Sequence, residues 1–244
     1  MKHYSLSDIH GYYNEMLEAL SKIDLKSNDK IIFLGDYIDY GFESGKVLEY
    51  IYNYQKEHKD EQVIVLMGNH EKMFLDWYKG RDSIWFMADS DAGLRTFYSL
   101  ISKESKEEFD HFAHSASSRD IQEKARAILK KEKSDLITWM SKMPLYYTYD
   151  NNIYVHAGID EEAEDLWELG TSEEMFLWKY PPTTGEFYMT IISGHTGTPE
   201  LACDPGFHDI FFDGQSHYFI DGTVKESGVI PVLVYDCKKK SFCL

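Results

Sequence analysis

Short, continuous apolar runs recur along this chain, and each closes on Gly, Asp, Asn or His. Residues 4–7 lead into Asp8, 31–34 into Gly35-Asp36, 63–67 into Gly68-Asn69, 152–155 into His156, and 190–193 into Gly194-His195. Runs this short and this apolar read as strands buried on both faces, as in a mostly parallel sheet. Between the first three, Met16, Leu17, Leu20 and Ile23, then Val47, Leu48, Ile51 and Tyr54, fall at helical spacing. The β-α-β-α-β order predicts right-handed crossovers and a parallel half-sheet. After Glu71 the rhythm turns helical and aromatic. Met73, Leu75, Trp77 and Tyr78 open it, Ile121, Ala125, Ile128 and Leu129 continue it, and Ser134-Asp135 begins a last helix to Met140. This predicts a helical cap over about 72–143, inserted between two halves of the sheet. Within it, the interleaved charges of 103–108 fit a solvated helix face or a loop. The second half is β-rich, with a short helix over 173–179 and an antiparallel end at 218–220 and 229–235, where Pro231 marks an edge or a bulge. No low-complexity linker interrupts the pattern, so the expectation is one domain over 1–244.

The formal charge of −17 over 244 residues argues against nucleic acid or an anionic membrane as a partner, because both demand basic patches. Cys203, Cys237 and Cys243 have neither zinc-finger nor C-x-x-C spacing and read as free thiols of a reducing compartment. The chain enters its first strand at once, and no apolar stretch approaches the ~20 residues of a membrane span. The expected location is therefore the cytoplasm.

All five runs deliver Asp, His or Asn to one rim, the carboxyl ends of the strands, where open α/β sheets bind ligands. Asp8-Ile9-His10-Gly11, then Gly35-Asp36-Tyr37-Ile38-Asp39-Tyr40-Gly41, Gly68-Asn69-His70-Glu71, His156-Ala157-Gly158 and Gly194-His195 form an ordered series. It resembles the calcineurin-like metallophosphoesterases, and within them the phosphoprotein phosphatase branch in its compact bacterial and bacteriophage form. Trp85, Ala92-Gly93, Thr96, Met143-Pro144-Leu145 and Ile220-Asp221-Gly222 extend the likeness from Ser7 to about Gly222. The resemblance implies an αββα sandwich with a helical cap. It also implies two divalent ions, manganese first, with iron or zinc as alternatives. Such ions accept mixed carboxylate, imidazole and amide ligands. In the family's arrangement Asp8, His10 and Asp36 hold one ion, and Asp36, Asn69, His156 and His195 the other, with a bridging hydroxide as nucleophile. The same resemblance makes His70 the general acid, oriented by Asp39, and Asn69 a contact of the phosphate as well. Glu71 reads as an anchor of its loop.

The likeness weakens at the phosphate-binding arginines. Tyr40 and Met67 stand where the branch has Arg, and no Arg follows Arg126. Lys179 falls near the third expected Arg and is the candidate substrate contact, but it offers a point charge instead of a planar fork. Arg81 or Arg95 from the cap could compensate. The reading is a phosphomonoester hydrolase of the serine/threonine protein phosphatase kind. A dinucleoside polyphosphate hydrolase, in which Tyr40 and the aromatic cap stack a base, is the alternative. A catalytically weak, metal-binding regulatory module is the second.

Overall fold

In the computed structural model, residues 1–59, 61–82, 84–87 and 92–243 are described; positions 83 and 88–91 of the expected helical cap lie outside them. Ten strands are described: β1 (Lys2–Leu6), β2 (Lys30–Phe33), β3 (Val63–Val65), β4 (Tyr146–Tyr149), β5 (Asn152–Val155), β6 (Thr190–Gly197), β7 (Phe211–Phe212), β8 (His217–Asp221), β9 (Leu233–Asp236) and β10 (Ser241–Cys243). They form two five-stranded sheets, ordered β10-β9-β1-β2-β3 and β4-β5-β6-β8-β7. In each sheet a parallel trio, β1-β2-β3 or β5-β6-β8, is flanked by antiparallel strands.

The αββα sandwich implied by the resemblance is borne out, while the halves of one sheet read from the apolar runs are corrected: each closes as its own sheet, and the two stack face to face. The period-2 alternation of strand side chains explains why. Ile32, Leu34 and Leu66 from the first sheet meet Tyr154, Ile192 and Ile220 from the second in one buried layer. Their neighbours in sequence, Ile31, Phe33, Val63 and Val65 on one side and Ile153, Val155 and Ile191 on the other, pack outward. Helices α1 (Tyr13–Ser21) and α2 (Ser44–Glu57) cover the first sheet through Met16, Ala19, Val47, Leu48 and Ile51. The layers are therefore α, β, β and α.

Between β3 and β4 come α3 (Asn69–Tyr78), α4 (Ile84–Met87), α5 (Ala92–Leu100), α6 (Lys103–Ala113), α7 (Ser118–Glu132) and α8 (Ser134–Met140). The charged stretch 103–108 is the start of α6, capped by Ser102, whose side chain accepts from the Ser105 N–H. Phe74, Trp77, Trp85, Phe86, Phe97 and Phe109 fill the centre of this helical layer, with Phe86 stacked on Trp77 at 4.7 Å. Four short helices follow: α9 (Trp167–Gly170), α10 (Glu173–Trp178), α11 (Thr198–Leu201) and α12 (Val224–Ser227).

The predicted antiparallel end holds in part: β8 pairs antiparallel with β7, and β9 with β1 and β10, but the two segments lie in different sheets. β8 runs parallel to β6, and β9 crosses back to pair with β1 of the first sheet. Pro231 precedes β9, which lies between β1 and β10 and is not an edge. Proline can donate no ladder hydrogen bond, so the strand begins beyond it.

Candidate active site

Within each parallel trio the turns that follow the strands are tied by backbone hydrogen bonds. Asp8 N–H donates to the Gly35 carbonyl at 3.1 Å, His10 N–H to the Asp36 carbonyl at 2.9 Å, and Gly194 N–H to the His156 carbonyl at 2.8 Å. Asp8, His10, Asp36, Asp39, Tyr40 and His195 all adopt positive φ, between 47° and 74°. Left-handed backbone in non-glycine residues persists only where the surroundings over-determine it. Two glycines make the approach possible. A Cβ on Gly68 would stand 2.2 Å from Asp36 N, and one on Gly194 would stand 2.1 Å from Asp8 Oδ2.

Glu71 supplies much of that restraint. Its buried carboxylate accepts four backbone N–H bonds, from Asp36 at 2.9 Å, Tyr37 at 2.8 Å, Ile38 at 3.2 Å and Gly68 at 3.2 Å. Burial and the charge of Asp36 push its carboxyl upward, while these donors favour the anion. It anchors the loop.

Asp36 is the centre of the cluster. Its Oδ2 lies 3.7 Å from His10 Nε2 and 3.9 Å from His70 Nε2, and its Oδ1 lies 3.5 Å from His156 Nε2. Two groups of ligand-type atoms share it, His10 with His70 on one side and His156 with His195 on the other. Asp8 Oδ1 is 3.9 Å from His10 Nε2, and its carboxylate accepts the His195 N–H at 3.1 Å. Burial would raise Asp36, but the imidazoles of His156, His70 and His10 outweigh it and hold the carboxyl well below the usual range.

The histidines differ in protonation. His10 Nδ1–H donates to the Ile38 carbonyl at 2.9 Å, and His156 Nδ1–H to the Leu34 carbonyl at 3.0 Å. Each Nε2 therefore turns a lone pair toward Asp36, an arrangement that second partners of metal-binding histidines commonly enforce. Burial keeps both neutral, lowering His10 and taking His156 down to about 4; it lowers His195 as well. His70 is the exception. Burial opposes its charge, but Asp36 and the Asp39 hydrogen bond raise it to about 9. That bond, from His70 Nδ1–H to Asp39 Oδ2, is 2.6 Å long. Asp39 is in turn held by the cap: Trp85 Nε1–H donates to Oδ2 at 2.9 Å and Thr96 Oγ1–H to Oδ1 at 2.7 Å.

The donor set suits a cation. The Asn69 amide points into the cluster, 2.7 Å from His156 Nε2 and about equally far, 3.1–3.2 Å, from His195 Nδ1 and both Asp36 oxygens. Two amide protons cannot serve four acceptors, whereas a cation with the amide oxygen beside it satisfies all of them. The carboxylates point the same way. Burial, then the charges of Asp221 and Asp36, raise Asp8 well above the ordinary range, and burial with Asp36 pushes Asp221 to about 6. Crowded buried carboxylates need compensating charge.

All six expected metal-binding residues, together with His70 and Asp39, meet at this rim. Lys179 is placed differently. Its stem packs on Gly158, and its ammonium is engaged by the Glu161 carboxylate and, at 2.6 Å, by the Ile159 carbonyl, so reaching a substrate means breaking that pair. Arg95 donates to the Tyr40 carbonyl at 2.8 Å, and Arg81 pairs with Asp76. Lys225 beside Tyr40 is missed from sequence, and Asp221 beside Asp8 is read there as part of the resemblance and given no role in the site. The signal for Asp221 was present: Ile220-Asp221-Gly222 closes another apolar run at the same rim.

The model of the calcineurin-like phosphoesterase family matches residues 1–224. A symmetrical bis(5'-nucleosyl)-tetraphosphatase of Wigglesworthia glossinidia brevipalpis is 39% identical over 29% of this chain and 25% of its own length. The enzyme of the same name from Vibrio campbellii is 25% identical over 70% of this chain and 48% of its own. The chain thus spans less than half the length of these relatives. A cold-active protein tyrosine phosphatase of solved structure superposes with a TM-score of 0.61 at 19% identity, covering 96% of this chain and 73% of that one, a likeness of fold.

Proposed function

Because the chain belongs to the calcineurin-like phosphoesterase family, we propose that it is a dinuclear metal-dependent hydrolase of phosphomonoesters, phosphoproteins included. The observation that carries this reading is the division among the histidines around Asp36. His10 and His156 present lone pairs to one carboxylate, while His70 alone is held as imidazolium by Asp39. Asp8, His10 and Asp36 would hold one ion, and Asp36, Asn69, His156 and His195 the other, with manganese the first choice. When bound, such ions supply Lewis-acid charge to the phosphoryl oxygens and lower the pKa of water. The chain's own part is to orient and to move a proton. His70 Nε2–H, on the far side of the ring from Asp39, donates to the leaving oxygen, and Asp39 keeps the tautomer that makes this possible. Trp85 and Thr96 keep Asp39 in place, which ties the helical layer to the proton transfer. Asn69 is the further contact to the phosphate.

One observation favours a second reading, hydrolysis of a dinucleoside polyphosphate. Tyr40 presents a ring where an arginine fork would select a monoester dianion, and two relatives carry that activity in their names. The His70–Asp39 pair argues against a merely regulatory module, which has no need of a proton donor. Among the described residues no helix is long and apolar enough to cross a membrane, and the cysteines are unpaired; we place the protein in the reducing cytosol. The test is elemental analysis of the purified chain, with an assay panel of aryl phosphate, phosphopeptide, diester and dinucleotide. Two metals per chain and phosphate release from the monoesters are expected. Two metals with no turnover of any substrate would overturn the hydrolase in favour of the regulatory module.

A further inference from the structure

The mouth of the site carries a cation that the proposed reaction does not use. Lys225 sits on α12, one turn beyond the rim residue Asp221. The entry to that helix is pinned: Thr223 takes φ 48°, its N–H donates to Asp221 Oδ1 at 2.8 Å, and its hydroxyl bonds His208 Nδ1 at 2.7 Å. Val224 is buried, which turns Lys225 outward at the mouth. The Lys225 ammonium lies 5.3 Å from the centroid of the Tyr40 ring. That ring meets His10 edge-on at 4.8 Å and His70 at 5.3 Å. Tyr40 therefore touches both imidazoles of the reacting centre and Lys225 as well.

Among the described residues Lys225 has no carboxylate partner and no hydrogen bond. Lys46, Lys72 and Lys179 are paired with Asp or Glu, whereas Lys56 and Lys106, like Lys225, lie over tyrosine rings, and of these three only Lys225 stands at the site. In a chain of net charge −17, a cation left unneutralised beside the site marks a place where negative charge is brought from outside. A cation over an exposed ring is only weakly held and can turn to an anion at little cost.

We propose that Lys225 is a specificity-determining residue: it holds a second phosphoryl group of the substrate, one ring beyond the phosphoryl group that reacts over Asp36. The inference rests on the placement of the reacting phosphate proposed above. An isolated phosphate ester seated over Asp36 ends at Tyr40 and leaves Lys225 unused. A phosphoanhydride chain passes along the ring and brings its next phosphate to the ammonium, so that the leaving group itself is gripped. The chain's departure from an arginine at position 40 moves the recognition charge outward and adds phosphoanhydrides to the monoesters that the site would take.

The experiment is calorimetric titration of the metal-loaded protein with orthophosphate, inorganic tripolyphosphate and ATP. Free metal and ionic strength are held constant, because surface charge contacts are screened within about 10 Å at 0.1 M salt. Wild type is compared with Lys225→Gln and Lys225→Arg; an exposed position leaves folding intact, and melting temperatures check this. Lys225→Gln should weaken tripolyphosphate and ATP by about tenfold more than orthophosphate, and Lys225→Arg should restore most of the loss. Tighter binding of ATP than of tripolyphosphate supports the proposal and identifies a nucleotide as the source of the chain; the reverse order supports it with inorganic polyphosphate. An equal change for all three ligands, or none for the two anhydrides, overturns it. A protein that grips tripolyphosphate through Lys225 yet hydrolyses nothing would uphold this inference and overturn the hydrolase reading instead.

Discussion

Asp36 and Tyr40 lie on one loop, yet they belong to regions built in opposite ways. Asp36, 2% exposed, is the floor: three imidazoles face its side chain, and Glu71 holds its backbone N–H. Tyr40, 37% exposed, is the mouth, and its side chain is met by two ring edges and one ammonium. A buried polar network in which every member has a partner leaves no room for substitution, because each unpaired group costs its full desolvation. The mouth has solvent as an alternative partner. The residues facing Asp36 therefore match the resemblance, whereas its arginines are replaced around them, by the half-exposed Tyr40 and the buried Met67.

That contrast breaks most directly at Asp36. Asp36→Asn removes the shared carboxylate, so elemental analysis should find fewer than one metal per chain, with activity down on the order of 10³-fold or more. Retention of both metals would mean that the floor is not organised around this residue. His70→Asn should keep the metals and lose about 10²–10⁴-fold in rate, less for a good leaving group such as nitrophenolate. An equal loss for good and poor leaving groups would remove the proton donor from the scheme.

Asp39→Asn sharpens the comparison through pH. Asp39 raises His70, and His70 acts while protonated, so activity falls as pH rises through its pKa. Without Asp39 that pKa drops, and the alkaline limb of kcat/KM should move to lower pH, with about a 10–100-fold loss on the alkaline side. A limb that stays in place would show that His70 does not set it. The smallest effect belongs to the mouth. Tyr40→Arg should lower KM for an aryl phosphate by about tenfold, since a charge-assisted fork contributes roughly 1.5–3 kcal/mol before its desolvation cost. Activity on a dinucleotide should not rise with it. An unchanged KM would mean that Tyr40 does not border the phosphate.

Much of this site was legible in the chain because its elements are local. A run such as Ile31-Ile32-Phe33-Leu34 states a doubly buried strand by itself, and the Gly and Asp that follow state its end. Repetition of that statement at five strand ends brings Asp, His and Asn to one rim, and the family resemblance picks Asp8, His10, Asp36, Asn69, His156 and His195 out of them as a ligand set. Partnership across the fold was not legible. β9 returning to β1, Trp85 and Thr96 closing on Asp39, Glu161 engaging Lys179, and Lys225 arriving beside Tyr40 all join residues far apart in the chain. The proton on His70 and the bare nitrogens of His10 and His156 are of the same kind. An imidazole's charge is the balance between burial and its neighbours, and only tertiary structure decides both.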